Sequence, residues 1–414
     1  MSRLRYLATA ATALTIAACS GPMPPAESEQ DLRARAATIH ERVLTIDTHD
    51  DIPYNFATAE VDPLHADRQV NLEKMRAGGL DAGFFIVYVG QTPRTPANYA
   101  RAQADATIKF KAIHRMAEQL YPDRIEIAYT ADDVERIHNE GKLVAAIGIE
   151  NGYVIGTDLS LLRAYHELGA RYITLAHGGH NDIADSATPR ARFGDEAAEH
   201  DGISKFGADV IAEMNRLGIL VDISHISKQA ALDAMALSSA PVIASHSSVY
   251  ALAAHPRNLD DETLLAVRED GGVVQAVALG AFVKVQPPER NAAVDALWGE
   301  LGIESFRDLR DLDGAQQARY DAGMSEIDAQ WPPASVADFV NHIDYAVDLI
   351  GIDHVGIASD FDGGGGIVGW QDASETFNVT LELVRRGYGE EDIAKLWGGN
   401  LLRVWREAEA VAAR

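Results

Sequence analysis

Eight short and almost uninterrupted apolar segments constrain the fold of this 414-residue chain more than any other feature. Each is rich in Val and Ile and lacks the polar alternation of a strand with one solvated face. The segments are VLTID (from Val43), LDAGFFIVYVG (from Leu80), LVAAIGIE (from Leu143), RYITLAH (from Arg171), GILVDISH (from Gly218), PVIASHSS (from Pro241), GGVVQAVAL (from Gly271) and HVGIASDFDG (from His354). Such segments are typical of strands buried on both faces in a parallel sheet.

Helical patterns separate most of these segments. Apolar periodicity predicts helices over residues 99–120, 159–168, 203–217, 228–237, 260–269 and 335–350. The repeated alternation of strand and helix predicts an α/β fold, a (β/α)8 barrel of the TIM type. A doubly wound open sheet is the alternative, but it usually has fewer strands, and no G-x-G-x-x-G fingerprint follows the first strand.

Two segments depart from the simple repeat. Residues 281–333 form a long piece between the seventh and eighth predicted strands, and such connections are usually lids or extra helices. The segment GGNLLRVW predicts a C-terminal helix under the barrel, with Asn400 as its cap. We therefore expect one barrel domain over residues 31–414 that opens with a helix through about residue 42 and carries an insertion at about 281–333.

The first residues have the composition of an export signal. Arg3 and Arg5 precede an Ala-rich apolar stretch over residues 6–18 that is too short to be a stable bilayer anchor. The small residues before Cys19, the only cysteine, resemble the lipobox of bacterial lipoproteins, and Ser20 resembles the outer-membrane sorting pattern. This resemblance implies a lipoprotein signal peptide over 1–18, a lipidated Cys19, a tether over 19–30 and an outer-membrane anchor facing the periplasm. An ordinary signal peptide with an incidental cysteine is the alternative.

The charge of the chain limits its partners. It has 36 basic and 62 acidic residues and a formal net charge of −26. Nucleic acids and anionic membrane surfaces are recognised by clustered Lys and Arg. We therefore expect no nucleic-acid partner, and contact with a membrane only through the N-terminal lipid.

Ionisable residues stand at the carboxyl ends of six predicted strands. They are His49 and Asp51 on the first, Glu150 on the third, His177 on the fourth, His225 on the fifth, His246 on the sixth and Asp360 on the eighth. In a (β/α)8 barrel these strand ends converge on one mouth. Each residue alone has an ordinary explanation as a structural histidine or a helix cap. Together, several imidazoles among several carboxylates are the ligand set of Zn²⁺ or a similar divalent ion, and the spacing His49-x-Asp51 puts both side chains on one face.

The ordered set of motifs resembles that of the membrane (renal) dipeptidases, zinc metallopeptidases of the amidohydrolase-like barrel group. The resemblance covers roughly residue 31 to the C-terminus and rests on DTHDD, GIENG, YITLAH, VDISHIS, IASHSS, HPRNLDDE, VGIASDFDG and GGNLLRVW. It implies two zinc ions per chain. His49 and Asp51 match the ligands of one ion, His225 and His246 match those of the other, and Glu150 matches the bridging carboxylate.

The same resemblance implies three residues that contact the substrate. His177 matches the family's substrate-contacting histidine, Arg257 its carboxylate-binding arginine and Asp360 its eighth-strand acid. A planar two-pronged donor such as Arg257 suits a free α-carboxylate. The alternative for Arg257 is a surface salt bridge with Asp260 or Asp261.

The first motif departs from the family pattern D-G-H-N-D. Thr48 replaces the usual Gly, and Asp50 replaces Asn and adds a negative charge that either raises metal affinity or is neutralised by a neighbour. Asp47 is expected to be an acid behind the ligands that orients one of them. His180, a second histidine in the fourth-strand loop, is expected to serve loop structure or the substrate pocket.

These residues and the resemblance predict a dinuclear zinc dipeptidase that hydrolyses dipeptides with a metal-bridging hydroxide and tolerates a D-configured C-terminal residue. Glu150, His177 and Asp360 are the expected catalytic residues. One alternative is another metal-dependent amidohydrolase acting on a lactam or an N-acyl amino acid, although such barrels commonly carry H-x-H and a carboxylated Lys. The other is a peptide-binding lipoprotein without turnover, which predicts a lost ligand. Because family members can be dimers, a homodimer is a further possibility.

Overall fold

The computed structural model describes residues 27–303, 308–310 and 312–414. The predicted signal peptide, the lipidation site Cys19 and most of the predicted tether lie outside these ranges. None of the helices within them has the length and hydropathy of a membrane span.

Parallel strands form the centre of the molecule. They are β1 (Ile46–Asp51), β2 (Ala82–Tyr88), β3 (Ile125–Ile127), β4 (Leu143–Glu150), β5 (Ala170–Thr174), β6 (Leu220–Asp222), β7 (Ile243–Ala244), β8 (Val273–Val277) and β9 (Val355–Ala358). Eight of them pair in the order β1-β2-β4-β5-β6-β7-β8-β9. Each of the eight apolar segments contributes one strand to this order, which confirms the predicted (β/α)8 barrel.

The barrel closes between its first and last strands. The backbone N–H of Asp51 donates to the carbonyl of Phe361 at 2.9 Å, just beyond the end of β9. Asp50 and Phe361 form an isolated parallel bridge there. The contact that closes the barrel therefore lies beside the predicted metal ligands of β1.

Strand β3 was missed by the sequence analysis. It pairs with residues 143–145 of β4, whereas β5 pairs with the carboxyl half of β4. The first half of that β4 edge would otherwise be left without a partner. With only three residues, IEI, β3 gives too short a pattern to be recognised.

Helices surround the strands. They are α1 (Glu29–His40), α2 (Leu72–Gly78), α3 (Pro96–His114), α4 (Ala131–Asn139), α5 (Ser160–Glu167), α6 (Lys205–Leu217), α7 (Lys228–Leu237), α8 (Asp261–Asp270), α9 (Gly280–Val283), α10 (Pro288–Leu301), α11 (Gly314–Gln330), α12 (Val336–Ile350), α13 (Phe377–Arg386), α14 (Glu390–Ala394) and α15 (Asn400–Ala412). π-Helical turns over Arg115–Leu120 and Lys395–Gly399 follow α3 and α14. Short 3₁₀ turns lie at Gly152–Ile155, Ala191–Phe193, Asp308–Arg310, Ile352–His354 and Ala373–Glu375.

Side-chain caps set where many of these helices begin. Ser204 and Ser227 accept a backbone hydrogen bond at the starts of α6 and α7, and Asp260 does so at the start of α8. Such caps satisfy N–H groups that have no partner inside the helix. Gly218, in the left-handed conformation with φ 75°, ends α6 just before β6. These stops fix the short connections that alternate helix and strand.

The barrel interior is closed at its lower end by α15. Phe84 of β2 packs between Tyr172 of β5 and Trp405 of α15, with ring centroids 5.2 and 5.7 Å apart. The prediction of a C-terminal helix under the barrel is therefore confirmed, but the prediction that Asn400 caps it is wrong. Asn400 is buried and its amide donates to the carbonyls of Ile352 and Val355, which ties the helix to the start of β9.

The long connection between β8 and β9 contains α9, α10 and α11. Arg290 near the start of α10 pairs with Asp328 near the end of α11 at 2.8 Å, and Glu300 pairs with Arg319 at 2.7 Å. These two pairs fix α10 and α11 as antiparallel neighbours. The predicted insertion at about 281–333 thus coincides with a helical hairpin.

Candidate metal centre

The seven ionisable residues predicted at strand ends come together at the carboxyl mouth of the barrel. His49 and Asp51 lie on β1 and Glu150 ends β4, while His177, His225, His246 and Asp360 follow β5, β6, β7 and β9. Their ligand atoms form three overlapping groups in which all atoms lie within 4.8 Å of one another. Most of these side chains are buried.

Glu150 lies at the centre of this cluster. Its Oε2 is 3.6 Å from Nε2 of His49. Its Oε1 is 2.9 Å from Nε2 of His225 and 3.4 Å from Nε2 of His246. The two carboxylate oxygens therefore face different sets of imidazoles, which is the geometry needed for a carboxylate that bridges two ions.

The remaining acids approach from the His49 side. Nε2 of His49 is 3.5 Å from Oδ2 of Asp51 and 3.9 Å from Oδ1 of Asp360. His177 is placed on the other side, with Nε2 3.5 Å from Oε1 of Glu150. Its ring packs between Tyr88 and His225, with centroids 4.8 and 4.1 Å apart.

The ring of His49 is oriented by a buried tyrosine. Its Nδ1 is 2.9 Å from the hydroxyl of Tyr172, and that hydroxyl donates to the carbonyl of Thr48 at 3.0 Å. Nδ1 therefore carries a proton, and Nε2 points into the cluster, where it can bind a metal. This Nε2 is buried and has no hydrogen-bond partner among the described residues. A buried acceptor without a partner is costly, so a cation fits this position.

His246 is oriented by a chain of polar groups. Its Nδ1 lies 2.7 Å from Oγ of Ser245, which donates to Oδ2 of Asp222 at 2.6 Å. This arrangement again turns Nε2 toward Glu150. The hydroxyl of Thr48 donates to the carbonyl of Ser245 at 2.6 Å, so the departure from the usual glycine ties β1 to β7 beside the ligands.

The buried carboxylates of the cluster need a compensating positive charge. Burial opposes ionisation of Glu150, but His177 and His49 hold the pKa of this carboxylate well below its usual range. Burial and the nearby Arg257 lower the pKa of His225 well below its ordinary value. Burial and the nearby His49 do the same for the pKa of His246.

Burial opposes protonation of His49, but the Glu150 and Asp51 carboxylates raise its pKa well above the ordinary value, so without a metal a proton supplies part of the positive charge. Neutral His225 and His246 beside ionised carboxylates are the protonation states that bind a divalent metal. The residues present therefore fit zinc or a similar ion.

Backbone strain accompanies two of these residues. His225 and Asp360 have φ values of 70° and 60°, in the left-handed region that side-chain-bearing residues rarely adopt. A Cβ on Gly363 would lie 2.3 Å from Oδ2 of Asp51 and 2.4 Å from Oδ1 of Asp360. Only glycine lets the loop after β9 pass this close to the two acids.

Asp47 and Asp50 lie behind the ligands. Oδ1 of Asp47 accepts from the backbone N–H groups of His49 and Ser359, at 3.2 and 2.9 Å. Asp47 therefore positions the chain that carries a ligand rather than the ring itself. Burial and the Asp47 carboxylate raise the pKa of Asp50 well above its ordinary value. The fold therefore disfavours a negative charge on Asp50, which brings this position closer to the Asn of the family pattern.

A cavity of about 530 Å³ opens above the cluster. Arg257 lies in its wall and is buried, and its guanidinium donates to the carbonyl of His246 at 3.0 Å and to Oγ of Ser247 at 3.3 Å. Its Nε has no hydrogen-bond partner among the described residues. Burial lowers the pKa of Arg257 only to about 10, so it stays charged at neutral pH. The alternative, a salt bridge of Arg257 with Asp260 or Asp261, is not observed among the described residues: Asp260 pairs with Lys228 at 2.5 Å, and Asp261 accepts from the hydroxyl of Tyr345 at 3.0 Å.

Several residues of the site were not identified from the sequence. Tyr88 ends β2 and lines the cavity with Arg190 and Phe282, and Tyr172 and Asp222 orient the ligands from below. Tyr88 could have been found, because it is the polar residue at the end of the second predicted strand. His180 is a loop residue: it accepts from the N–H of Ser186 at 3.0 Å and its other nitrogen is 3.0 Å from the carbonyl of Glu196.

A (β/α)8 barrel with imidazoles and carboxylates gathered around one glutamate at its mouth defines a class, the metal-dependent hydrolases. The particular family follows from comparison with known proteins. The family model for membrane dipeptidase (peptidase family M19) matches residues 33–414, so the chain belongs to this family. The predicted resemblance is confirmed, and the chain is a metallopeptidase of the dipeptidase class.

Similar proteins agree with this assignment. Dipeptidase tcpJ from Claviceps purpurea is 34% identical over 349 residues, which cover 83% of this chain and 70% of that protein. Dipeptidase aclJ from Aspergillus oryzae is also 34% identical over 349 residues, covering 83% of this chain and 71% of that protein. The crystal structure of the probable dipeptidase PvdM from Pseudomonas aeruginosa is similar with a TM-score of 0.81 and 32% identity, covering 92% of this chain and 100% of that one.

Proposed function

We propose that this protein is a dinuclear zinc dipeptidase. The observation that carries the proposal is the position of Glu150, whose Oε2 faces His49 at 3.6 Å while Oε1 faces His225 at 2.9 Å. His49 and Asp51 would hold one ion, His225 and His246 the other, and Glu150 both. When bound, the ions would lower the pKa of a shared water and polarise the scissile carbonyl.

Asp360 is the proposed proton carrier. Burial raises the pKa of its carboxyl to about 8 in the metal-free site, and its Oδ1 is 3.9 Å from Nε2 of His49. A carboxyl at this position can take a proton from the attacking water and pass it to the leaving amine, or contact the substrate's amino group. The Asp360 side chain lines the cavity, and its backbone is held in the left-handed region with a φ of 60°.

His177 and Arg257 are the proposed contacts to the substrate. Burial lowers the pKa of His177, so its neutral imidazole can donate one hydrogen bond to the oxyanion of the tetrahedral intermediate. Arg257 keeps a buried N–H without a partner, which suits the free α-carboxylate of a short peptide. A peptide whose free amine contacts Asp360 and whose free carboxylate contacts Arg257 can be only two residues long. The family resemblance adds tolerance of a D-configured second residue.

The experiment is a metal analysis followed by a dipeptide panel. The purified protein is expected to contain about two zinc ions per chain and to hydrolyse dipeptides, including those with a D-configured second residue. A lactam and an N-acyl amino acid in the same panel test the other amidohydrolase reactions. Less than about one zinc per chain, or no hydrolysis with added Zn²⁺, contradicts the proposal.

We also propose that the chain is exported and anchored by a lipid on Cys19, with residues 19–30 as a tether and residues 31–414 as one domain. The support is the sequence pattern alone: a basic start, an apolar stretch and small residues before the only cysteine. Labelled fatty acid should be incorporated by the wild type and not by Cys19→Ala. Labelling of that variant would show that the lipid is attached elsewhere. The proposed homodimer is tested separately, by light scattering of the same preparations.

A further inference from the structure

We propose that Arg190 forms a second anion-binding subsite in the wall of the catalytic cavity, beside Tyr88, which receives an acidic side chain of the substrate. The inference rests on the proposed dipeptidase function and adds to it a class of substrate. It concerns a part of the cavity that the two chain ends of a dipeptide leave unused.

Arg190 is an exposed residue of the long loop that follows β5. It lines the cavity together with His177, Thr188 and Tyr88. Its backbone N–H donates to Oδ2 of Asp195 at 2.8 Å, which fixes the loop but leaves the guanidinium untouched. A Cβ on Gly178 would lie 3.0 Å from both Nε and Nη2 of Arg190. The glycine directly after His177 therefore leaves the space in which the guanidinium lies.

The guanidinium of Arg190 has not been neutralised by the protein. Within the described ranges, no carboxylate lies within ion-pair distance of it, and none of its N–H groups donates a hydrogen bond. Arg190 is an exposed residue, so its guanidinium is open to a ligand that enters the cavity. Its neighbour in the same loop, Arg192, instead packs over the ring of Phe193 at 4.8 Å.

A second cation lies behind the same wall. Lys109 of α3 is 4% exposed, and its Nζ is 5.2 Å from the ring centroid of Tyr54 and 5.7 Å from that of Tyr88. In the part of the chain that the structure describes, Lys109 likewise has no carboxylate at ion-pair distance. Lys109 does not line the cavity, and Asp51 and Glu150 act on it electrostatically, so Arg190 is the cation that a ligand would meet on this side.

The position of Arg190 in the barrel decides which part of the substrate it meets. The proposed contacts to the chain ends, Arg257 and Asp360, follow β7 and β9, whereas Tyr88 ends β2 and Arg190 follows β5. In the strand order, β2 and β5 flank β4, so this wall lies across the mouth of the barrel from both chain-end contacts. Arg190 is therefore left for a side chain. A guanidinium fork binds a carboxylate through two parallel hydrogen bonds and cannot bind an amide in the same way.

The test compares isosteric substrates on the zinc-loaded protein. The kcat/KM values of Glu-Ala and Gln-Ala, and of Ala-Glu and Ala-Gln, are measured for the wild type, Arg190→Gln and Arg192→Gln. We expect the wild type to prefer Glu over Gln at one of the two positions by about tenfold to a hundredfold, mainly through KM. Arg190→Gln should reduce this ratio to near one, Arg190→Lys should retain part of it, and Arg192→Gln should leave it unchanged.

Two results overturn the subsite: a Glu-to-Gln ratio near one at both positions in the wild type, or equal losses for Glu and Gln substrates in Arg190→Gln. If the wild type still hydrolyses neutral dipeptides, the proposed dipeptidase function stands and only the subsite is overturned. Should the wild type hydrolyse no dipeptide, the same four ligands are titrated calorimetrically against the zinc-loaded protein. An equal Kd for the Glu and Gln ligands then overturns the subsite directly.

Discussion

Glu150→Gln is the substitution that most directly perturbs the proposed bridge between the ions. The two side chains have the same shape, but the amide keeps one oxygen and replaces the other with an NH₂ group that donates instead of binding metal. Oε1 lies 2.9 Å from Nε2 of His225 and Oε2 lies 3.6 Å from Nε2 of His49, so either amide orientation removes a ligand from one ion.

The expected loss follows from the burial of the site. Glu150 is 4% exposed, so its attraction to a cation is hardly screened by water. Removing one partner of a buried ion pair costs about 3–5 kcal/mol, which corresponds to about 10²- to 10⁴-fold weaker metal binding. Elemental analysis after dialysis against a weak chelator, combined with kcat/KM on a dipeptide, measures both consequences.

Glu382→Gln is the matched control. Glu382 is also buried, at 8% exposed, but it lies on α13 and pairs with Arg385 and Arg386 at 2.5 and 2.8 Å. This variant should melt at a lower temperature and keep its metal and activity. If Glu150→Gln keeps both ions and wild-type kcat/KM, the bridging role of this residue is refuted.

Three further predictions concern single contacts of the site. In the metal-free protein burial raises the pKa of Asp360 from 3.8 to about 8, so the contribution of this carboxyl to stability is fully present below pH 3.8 and is lost as the pH rises toward 8, by up to about 1.4 kcal/mol per unit. The melting temperature of metal-free Asp360→Asn should therefore fall less steeply with pH over this range than that of the metal-free wild type. The same dependence of melting temperature on pH in both proteins would contradict the raised pKa of Asp360. Arg257→Ala should raise KM by about tenfold to a hundredfold for substrates with a free carboxylate and spare those with a blocked one, whereas an equal loss on both would speak against carboxylate recognition. Tyr172→Phe removes the acceptor 2.9 Å from Nδ1 of His49 and should weaken zinc binding by about 10- to 100-fold in a chelator competition, and an unchanged Kd would show that the tyrosine does not orient the ligand.

The barrel and its ligand set were accessible from the sequence because both follow from position in the strand pattern. Buried parallel strands read as apolar runs, and their carboxyl ends meet at one mouth, so His49, Glu150 and Asp360 could be assigned to the same site before any distance was known. Strand β7, with only two paired residues, was found for the same reason, since PVIASHSS repeats the pattern of its neighbours.

The groups that orient the ligands could not be predicted in the same way. Tyr172 and Asp222 lie inside apolar segments, and nothing in those segments indicates that Tyr172 reaches His49 across the barrel or that Asp222 accepts from Ser245 at the end of the neighbouring strand. The raised pKa of Asp50 comes from its own burial and from the neighbouring Asp47 carboxylate, and only the folded chain defines that burial. The contacts of Tyr172 and Asp222 join residues on different strands, so they depend on packing and not on local pattern.

The pairing of two ions through Glu150 is tested most directly by titrating the metal-free protein with Zn²⁺ while following both binding and dipeptide hydrolysis. We predict that hydrolysis rises until about two equivalents are bound and that the ion-to-chain ratio reaches about two at the same point. Full activity at about one equivalent, with no further ion bound, would contradict a dinuclear centre.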